Sequence, residues 1–251
     1  MVSLSAVVIT FNEERNIGRC LDSLAGVADE IVVIDSYSTD RTEEICREKG
    51  VRFIKHVFAG HIEQKNFAVA QAKFGFILSL DADEALDRAL IHSILKLKKN
   101  WTCGGYYVNR LTNYCGRWIR YCGWYPDRKL RLWKNKSGEW RGINPHDKFE
   151  LFDGDNGTGR VEGNLLHYSF YTEEEHLKQI EYFTDISSKA LFEKGKRGGV
   201  VKLNLSPLAK FIDSYFLKLG FLDGAEGYKI CRNSAMATRL KYRKLKNLWG
   251  N

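Results

Sequence analysis

The sequence lacks any apolar stretch long enough to cross a bilayer. No segment reaches 18 consecutive apolar residues, so no transmembrane helix is predicted. The first residues, 1–5, contain no basic group of the kind that opens a secretion signal, and no signal peptide is expected. The six cysteines form no C-x-x-C pair. We therefore expect reduced thiols in a cytosolic protein and no zinc site.

Two common nucleotide-binding signatures are also missing. No G-x-G-x-x-G follows the first apolar segment, which argues against a dinucleotide-binding fold. No G-x-x-x-x-G-K-[ST] occurs anywhere, which argues against a P-loop enzyme.

Positive charge is concentrated in the second part of the chain. The net charge is +8, yet residues 1–99 carry 13 Lys/Arg against 15 Asp/Glu, and residues 100–251 carry 26 against 16. After Glu226 there are seven basic residues and no acidic one. This asymmetry indicates an anionic partner: nucleic acid, anionic lipid or a phosphorylated substrate. A basic surface that is merely solvated is the simpler alternative.

Apolar strands alternate with helices through residues 1–99. Short connections between such elements predict an α/β fold with a mostly parallel central sheet and flanking helices. The predicted strands are 4–10, 30–35, 51–54 and 76–80, and the predicted helices are 14–25, 41–49, 61–74 and 87–98.

Polar residues follow three of these strands, at Thr10–Glu13, Asp35–Asp40 and Asp81–Asp83. Ligands of parallel sheets bind beyond the carboxyl ends of the strands, so these groups are expected to converge on one site. The carboxylates of Asp81 and Asp83 suit Mg²⁺ or Mn²⁺. Alone, the pair is better explained as a strand end with a helix cap, but the convergence favours a functional site.

Residues 101–170 are rich in Trp, Tyr, Gly and Arg, with predicted strands at 105–111 and 129–133. In the predicted loop Asn144-Pro-His-Asp147, the His-Asp pair is a candidate to hold a general base. Arg128 and Arg131 are placed to meet phosphate or carboxylate groups. His167 follows an apolar segment, where a metal ligand and a buried structural histidine are both reasonable interpretations.

The C-terminal part is predicted to be helical over 172–195, from Ser206-Pro207 onward, and over 223–246. An apolar stripe at 208–219 precedes the basic helix, a combination that suits either an anionic membrane surface or packing on the main domain. We predict one domain at 1–200, divided into residues 1–99 and 100–170, and C-terminal amphipathic and basic helices at 201–251.

Four motifs in the first 85 residues resemble the motif series of family 2 glycosyltransferases. They are Val8-Ile-Thr-Phe-Asn-Glu-Glu-Arg-Asn-Ile17, Val33-Ile-Asp-Ser-Tyr-Ser-Thr-Asp40, Gln64-Lys-Asn66 and Leu80-Asp-Ala-Asp-Glu84. Later segments resemble the bacterial lipopolysaccharide core β-1,4-glucosyltransferase subgroup: Asp127-Arg-Lys-Leu-Arg-Leu-Trp133, Pro145-His-Asp147, Leu166-His-Tyr168 and Gly220-Phe-Leu-Asp-Gly224. That subgroup often has Glu at the position of Asp147.

The resemblance implies a GT-A fold and an inverting transfer from a UDP-sugar, with Mg²⁺ or Mn²⁺ as cofactor. Asp35 would contact the uracil, and Lys65 would approach the base or the phosphates. Asp81 would reach the ribose or a metal-bound water, and Asp83 would ligate the metal. The resemblance makes residues 1–200 a catalytic domain, with 1–99 as its nucleotide-sugar half and 100–170 as its acceptor half. The loop of Thr10, Phe11, Asn12 and Glu13 would line the nucleotide pocket, and Arg128 and Arg131 would hold phosphate groups. Asp147 would be the catalytic base.

The expected acceptor is a lipid-linked saccharide at the inner face of the cytoplasmic membrane, with the protein cytoplasmic and peripherally bound. Polyprenyl phosphate or capsule precursors are alternative acceptors. A basic nucleic-acid-binding protein is the alternative of another class, although acidic strand ends would repel a phosphate backbone and no nucleic acid partner is expected. The sequence does not predict the oligomeric state.

Overall fold

The structure is a computed structural model that describes residues 1–143, 146–152 and 157–250. Asn144 and Pro145 of the predicted loop lie outside the described residues. The strands are β1 (Leu4–Thr10), β2 (Glu30–Asp35), β3 (Arg52–Lys55), β4 (Phe76–Asp81), β5 (Glu84–Leu86), β6 (Gly105–Tyr114), β7 (Arg117–Trp118), β8 (Asp127–Lys134), β9 (Gly138–Ile143), β10 (His146–Leu151) and β11 (Thr158–Phe170). The helices are α1 (Ile17–Leu24), α2 (Thr42–Glu48), α3 (His61–Ala70), α4 (Arg88–Lys99), α5 (Glu173–Glu193), α6 (Val200–Ile212) and α7 (Gly224–Leu248).

The described residues form a sheet in the order β3-β2-β1-β4-β8-β6-β11-β5, with β7 paired to β6. The first four strands in this order are parallel. Strand β8 pairs antiparallel with both β4 and β6, and β5 pairs antiparallel with β11. The predicted α/β class is confirmed, and its parallel part consists of the strands of the first 81 residues. A separate hairpin joins β9 to β10.

Two compact units divide the chain. The first contains Met1–Arg110 and Asp127–Tyr168, and the second contains Leu111–Pro126 and Ser169–Asn251. The division at residue 200 drawn from the sequence stays a prediction.

The first unit buries both faces of its parallel strands, since successive side chains point to opposite sides of a strand. On one side Leu4, Ala6 and Val8 pack in a cluster with Ile17 and Leu21 of α1. The opposite cluster is formed by side chains of β1, β2, β4 and β8 and by the β9–β10 hairpin; its members include Val7, Ile34, Ile77, Trp133, Trp140 and Phe149.

The second unit is built on its helices. A capping box at Thr172 and Glu175 begins α5, which supplies two orphan N–H groups of the first turn with acceptors. Its buried cluster includes Tyr114, Phe170 and Ile230. Within the described ranges, no helix is both long enough and apolar enough to cross a membrane.

The prediction that Pro207 begins a helix is wrong. Helix α6 begins at Val200, directly after the Gly199 cap, and contains Pro207 in its interior. Proline has no N–H to donate to the carbonyl four residues earlier, so the bond to Leu203 is missing there. The apolar residues before Pro207 continue the helical pattern, and a π-helical turn at Asp213–Leu217 follows α6.

His176 of α5 is buried in the second unit, and its Nδ1 lies 3.1 Å from the Tyr114 hydroxyl oxygen. Burial lowers the pKa of His176 to about 4, although the charge of Glu173 acts in the opposite direction. The folded protein therefore binds fewer protons than the unfolded chain between pH 6.5 and about 4.

We predict that acid destabilises the protein through His176. Stability falls as the pH drops below 6.5, and at about 1.4 kcal/mol per pH unit the loss by pH 5 is about 2 kcal/mol. Urea unfolding at pH 7 and at pH 5 measures this loss of unfolding free energy. His176→Gln should remove that part of the pH dependence, and His92→Gln at an exposed position of α4 should leave it unchanged. Equal slopes for wild type and His176→Gln would contradict the prediction.

Candidate active site

The strand register brings the predicted residues of the first half to one edge of the sheet. Thr10 at the end of β1 lies beside Asp35 at the end of β2, and Ile9 lies beside Asp81 at the end of β4. The loops that follow β1 and β2 are tied together, because the Asn12 amide donates to Ser38 Oγ over 2.8 Å. The expected convergence is therefore present in the geometry.

Several of these groups are engaged in the loops themselves. Asp35 is buried, and its carboxylate accepts hydrogen bonds from the amide and the hydroxyl of Ser38. Asn12 has a φ of 53°, a conformation that Asn tolerates better than most residues, and its side-chain oxygen accepts from the Thr39 amide. Phe11 is exposed, and the buried hydroxyl of Thr10 has no hydrogen-bond partner within the described part of the chain.

Glu13 has an unusual protonation equilibrium. Burial raises the pKa of its carboxyl to about 7, and a hydrogen bond from Asn16 opposes that rise. The charges of Asp83 and Asp40 raise the pKa further. Glu13 therefore shares the electrostatic environment of the Asp-x-Asp segment.

Lys65 of α3 joins two carboxylates that are distant in sequence. Its Nζ lies 3.2 Å from Asp81 Oδ1 and 2.8 Å from Asp147 Oδ2. The ammonium also lies 4.5 Å from the centroid of the Trp140 ring, within cation–π range. One side chain thus links the end of β4 to the β9–β10 hairpin.

The residues on either side of Lys65 position the same helix. Gln64 is buried, with Oε1 2.7 Å from His56 Nδ1 and Nε2 donating to Ser36 Oγ over 3.1 Å. The Asn66 amide exchanges two hydrogen bonds with the Trp140 backbone, at 3.0 and 2.9 Å. The Gln-Lys-Asn motif therefore fixes the helix, the ammonium and the hairpin together.

Asp147 lies in strand β10, where the sequence predicted a loop. The hairpin is apolar enough to pack, since Phe149 stacks on Trp133 with ring centroids 3.7 Å apart. Asp147 pairs with Gly142 in the antiparallel register, and its side chain is 11 % exposed. This carboxylate is consequently held on a strand and faces Lys65.

Arg131 of β8 is buried between two carboxylates. Its Nη2 donates to Asp81 Oδ2 over 3.1 Å and to Glu84 Oε1 over 2.6 Å. Burial alone would raise the pKa of Asp81, but the charges of Lys65 and Arg131 outweigh it and hold the pKa well below its usual range. Burial alone would lower the pKa of Arg131, and the charges of Glu84 and Asp81 raise it instead.

Sequence reasoning gave Glu84 no role, although it is fully buried and also accepts a hydrogen bond from the Asp81 amide over 3.0 Å. The sequence did contain an indication of this role, because Glu84 is a charged residue at the start of the otherwise apolar strand β5, and buried charges normally have a partner. Arg110 extends the cluster, at 3.7 Å from Glu84 and 2.8 Å from Asp127. Arg128, by contrast, is exposed and pairs in register with Asn109.

Asp83 and His167 come together as a second pair, with Asp83 Oδ2 3.1 Å from His167 Nε2. The backbone adds to this arrangement, because the Tyr168 amide donates to the Asp83 carbonyl over 2.9 Å. Among the described residues, no group of three or more His, Cys, Asp or Glu side chains could hold a metal ion. The donor set fits Mg²⁺ or Mn²⁺ that is also held by substrate phosphates and water, as Mg²⁺ commonly is.

The chain is similar in sequence to known glycosyltransferases. Residues 5–152 match glycosyl transferase family 2. The lipopolysaccharide core biosynthesis glycosyltransferase LpsC of Rhizobium meliloti is 32% identical over 233 residues, covering 88% of this chain and 82% of that protein. The uncharacterized glycosyltransferase RT0209 of Rickettsia typhi is 26% identical over 257 residues, covering 99% and 88%. Among solved structures, S. aureus TarS 1–349 is 15% identical, covers 99% of this chain and 91% of its own, and has a TM-score of 0.49, too distant to inform the activity.

The chain belongs to glycosyl transferase family 2. The expected α/β fold is present, and the expected enzyme class is confirmed at the level of a glycosyltransferase. The roles of the individual site residues stay predictions.

We predict that loss of Arg131 destabilises the folded protein, because Arg131 compensates the buried charges of Asp81 and Glu84. Arg131→Met leaves the carboxylates of Asp81 and Glu84 buried without their shared guanidinium. The free energy of unfolding should therefore fall by about 3–5 kcal/mol. Urea denaturation measures the change. Arg128→Met on the same strand is the matched control and should shift stability by less than about 0.5 kcal/mol. Similar effects of the two substitutions would contradict the assignment, and adding Glu84→Gln to Arg131→Met should recover part of the loss.

Proposed function

We propose that the protein is a metal-dependent inverting glycosyltransferase that moves glucose or a related hexose from a UDP-sugar to a lipid-linked saccharide. The observation that carries this proposal is the Lys65 contact, which places the Asp147 carboxylate beside Asp81 at the carboxyl edge of the sheet. Donor and acceptor groups can meet there. Family membership supplies the class of reaction.

In this proposal the donor lies along the edge formed by β1, β2 and β4. The uridine is placed near Asp35 and the loop Thr10–Glu13, and the ribose is placed near Asp81. The unpartnered hydroxyl of Thr10 supports a polar ligand at this edge, since buried hydroxyls normally have a hydrogen-bond partner. Lys65 and Arg131 supply positive charge next to the diphosphate, and the exposed Arg128 is assigned to phosphate groups of donor or acceptor.

Asp83 and His167 are the proposed protein ligands of Mg²⁺ or Mn²⁺. When bound, the metal would neutralise charge that develops on the leaving diphosphate. The pair at 3.1 Å supports this role because an oxygen and a nitrogen donor already face each other. Glu13, whose pKa is raised to about 7, lies under the influence of the same charges.

The transfer is a single displacement. An acceptor hydroxyl oxygen attacks the anomeric carbon, and its bond to that carbon forms as the bond from carbon to the UDP phosphate oxygen breaks. The electron pair of the broken bond leaves with UDP, and the hydroxyl proton passes to Asp147. Attack opposite the leaving group inverts the anomeric configuration. Lys65 orients the Asp147 carboxylate for this step.

The proposed acceptor is a lipopolysaccharide core intermediate or another lipid-linked precursor of the cell surface, met at the inner face of the cytoplasmic membrane. The relative LpsC is described as a lipopolysaccharide core biosynthesis glycosyltransferase, which supports this choice. Separate assays with core lipopolysaccharide and with polyprenyl phosphate as acceptors distinguish the two acceptor classes.

We predict that Asp147→Asn abolishes transfer and leaves donor binding intact. The amide accepts no proton, so the transfer rate should fall by about 100-fold or more, as measured by UDP release in the presence of acceptor. UDP binding, measured by calorimetry with Mn²⁺, should stay within about twofold of wild type. Full transfer activity would remove the base assignment, and loss of UDP binding would show that Asp147 shapes the donor site instead.

We also predict that UDP stabilises the protein against heat only when Mn²⁺ or Mg²⁺ is present. Asp83→Asn and His167→Gln should each weaken this metal-dependent stabilisation, by about tenfold in the UDP concentration required. Asp22→Asn, at an exposed position of α1, should not. Stabilisation by UDP that persists unchanged in EDTA would refute the metal site.

A further inference from the structure

An apolar stripe runs along the outer face of α6 and the π-helical turn after it. Its members recur at spacings of three and four residues, which places them on one side of a helix. They are exposed by 42–63 %, and they are Val201, Leu205, Leu208, Ile212 and Phe216. Leu217 beside them is 74 % exposed. We name these six residues the α6 face.

The α6 face is not needed to bury the second unit's core. The opposite side of the same segment provides the packing, with Pro207 and Ser214 buried and Phe211 and Tyr215 against the core cluster. Contiguous exposed apolar surface of this kind marks an interaction site in a folded protein. Its length excludes insertion across a bilayer, because α6 has only 13 residues.

The charges around the α6 face are almost all positive. Between residues 194 and 222 there are six Lys and Arg and one acidic residue, Asp213. That carboxylate is already paired, with Lys218 Nζ at 2.7 Å and Lys210 Nζ at 4.0 Å. A second copy of the same surface would bring like charges together, whereas an anionic bilayer would complement both the leucines and the lysines.

The basic tail of α7 has a different environment. Lys244, central in that tail, lies 2.7 Å from Glu181 and 2.8 Å from Asp185 of α5. Its charge therefore serves helix packing. Of the two basic C-terminal segments, α6 carries the longer row of exposed apolar side chains, and Lys202 lies on the border of that row.

We propose that the α6 face is the surface with which the protein binds an anionic lipid bilayer, lying flat at the headgroup level. This inference deepens the proposed function and rests on it, because a lipid-linked acceptor is presented at such a surface. Phe216 and the leucines enter the interface, and Lys202 on its border meets the lipid phosphates.

Flotation with phosphatidylcholine vesicles, with and without phosphatidylglycerol, tests the proposal on the full chain without donor or acceptor. Wild type should bind the anionic vesicles and lose binding at high salt. Leu205→Ser/Leu208→Ser/Phe216→Ser should weaken binding by on the order of 100-fold. Tyr182→Ser/Met236→Ser removes exposed apolar groups from α5 and α7 and is the matched control, expected to bind as wild type.

A second pair of variants separates α6 from the tail of α7. Lys202→Gln should weaken binding to anionic vesicles by about fivefold, and Arg239→Gln/Lys246→Gln should have less than a twofold effect. The reverse ranking would overturn the assignment. If the triple serine variant fails to fold, Leu217→Ser alone should give a loss of about fivefold.

Two further results would overturn the proposal. In the first, the wild-type protein does not bind anionic vesicles; in the second, the triple serine variant binds them as well as wild type. A dimer that these serine substitutions dissociate, without vesicle binding, assigns the face to a second copy instead. If the protein binds vesicles but is not stabilised by UDP, the glycosyl transfer proposal fails and the membrane-binding role of the α6 face stands. If the protein is stabilised by UDP but does not bind vesicles, the membrane-binding role fails and the glycosyl transfer proposal stands.

Discussion

The ammonium of Lys65 is the charge on which the candidate site depends. It lies within 3.2 Å of Asp81 and 2.8 Å of Asp147, two carboxylates separated by 66 positions in the chain. Without a cation between them, two partly buried carboxylates would repel each other. Asn66, next in sequence, adds two hydrogen bonds to the hairpin backbone, so the electrostatic contact and the position of the hairpin are set by one turn of α3.

Buried charge is tolerated here because it is matched. The carboxylates of Asp81, Asp147, Glu84 and Asp127 contact the cations Lys65, Arg131, Arg110 and Lys129. A matched network of this kind gives little net stability, since desolvation offsets most of the attraction, but removal of one member is costly. The network therefore specifies geometry more than it adds stability. It holds the end of β4 in one arrangement against which a nucleotide diphosphate can bind.

Much of the first half could be predicted from sequence, because strand periodicity and the carboxyl-edge rule place Thr10, Asp35 and Asp81 together without knowledge of side-chain contacts. The motif identifies Asp147, but local sequence does not predict the strand that carries it. That strand forms because Trp140 and Phe149 of the hairpin pack against Trp133, which lies in a different segment of the chain. Glu84 was missed because a carboxylate in a buried strand is explained only by Arg131, and strand pairing decides that contact. The start of α6 was misplaced because Pro207 is a strong local signal and the helix that contains it is stabilised by tertiary packing.

The π-helical turn at Asp213–Leu217 has a consequence for the rotational phase of the segment. A π turn contains one more residue than an α turn, and each residue of an α-helix advances about 100° around the axis. The extra residue lets Ser214 remain buried while the neighbouring Phe216 and Leu217 both face outward. Deletion of one residue here would rotate the preceding stripe by roughly a quarter turn relative to α7. The composition of α6 would be unchanged, yet its leucines would no longer share a side with Phe216, so the outward direction of this helix is encoded by chain length as much as by residue type.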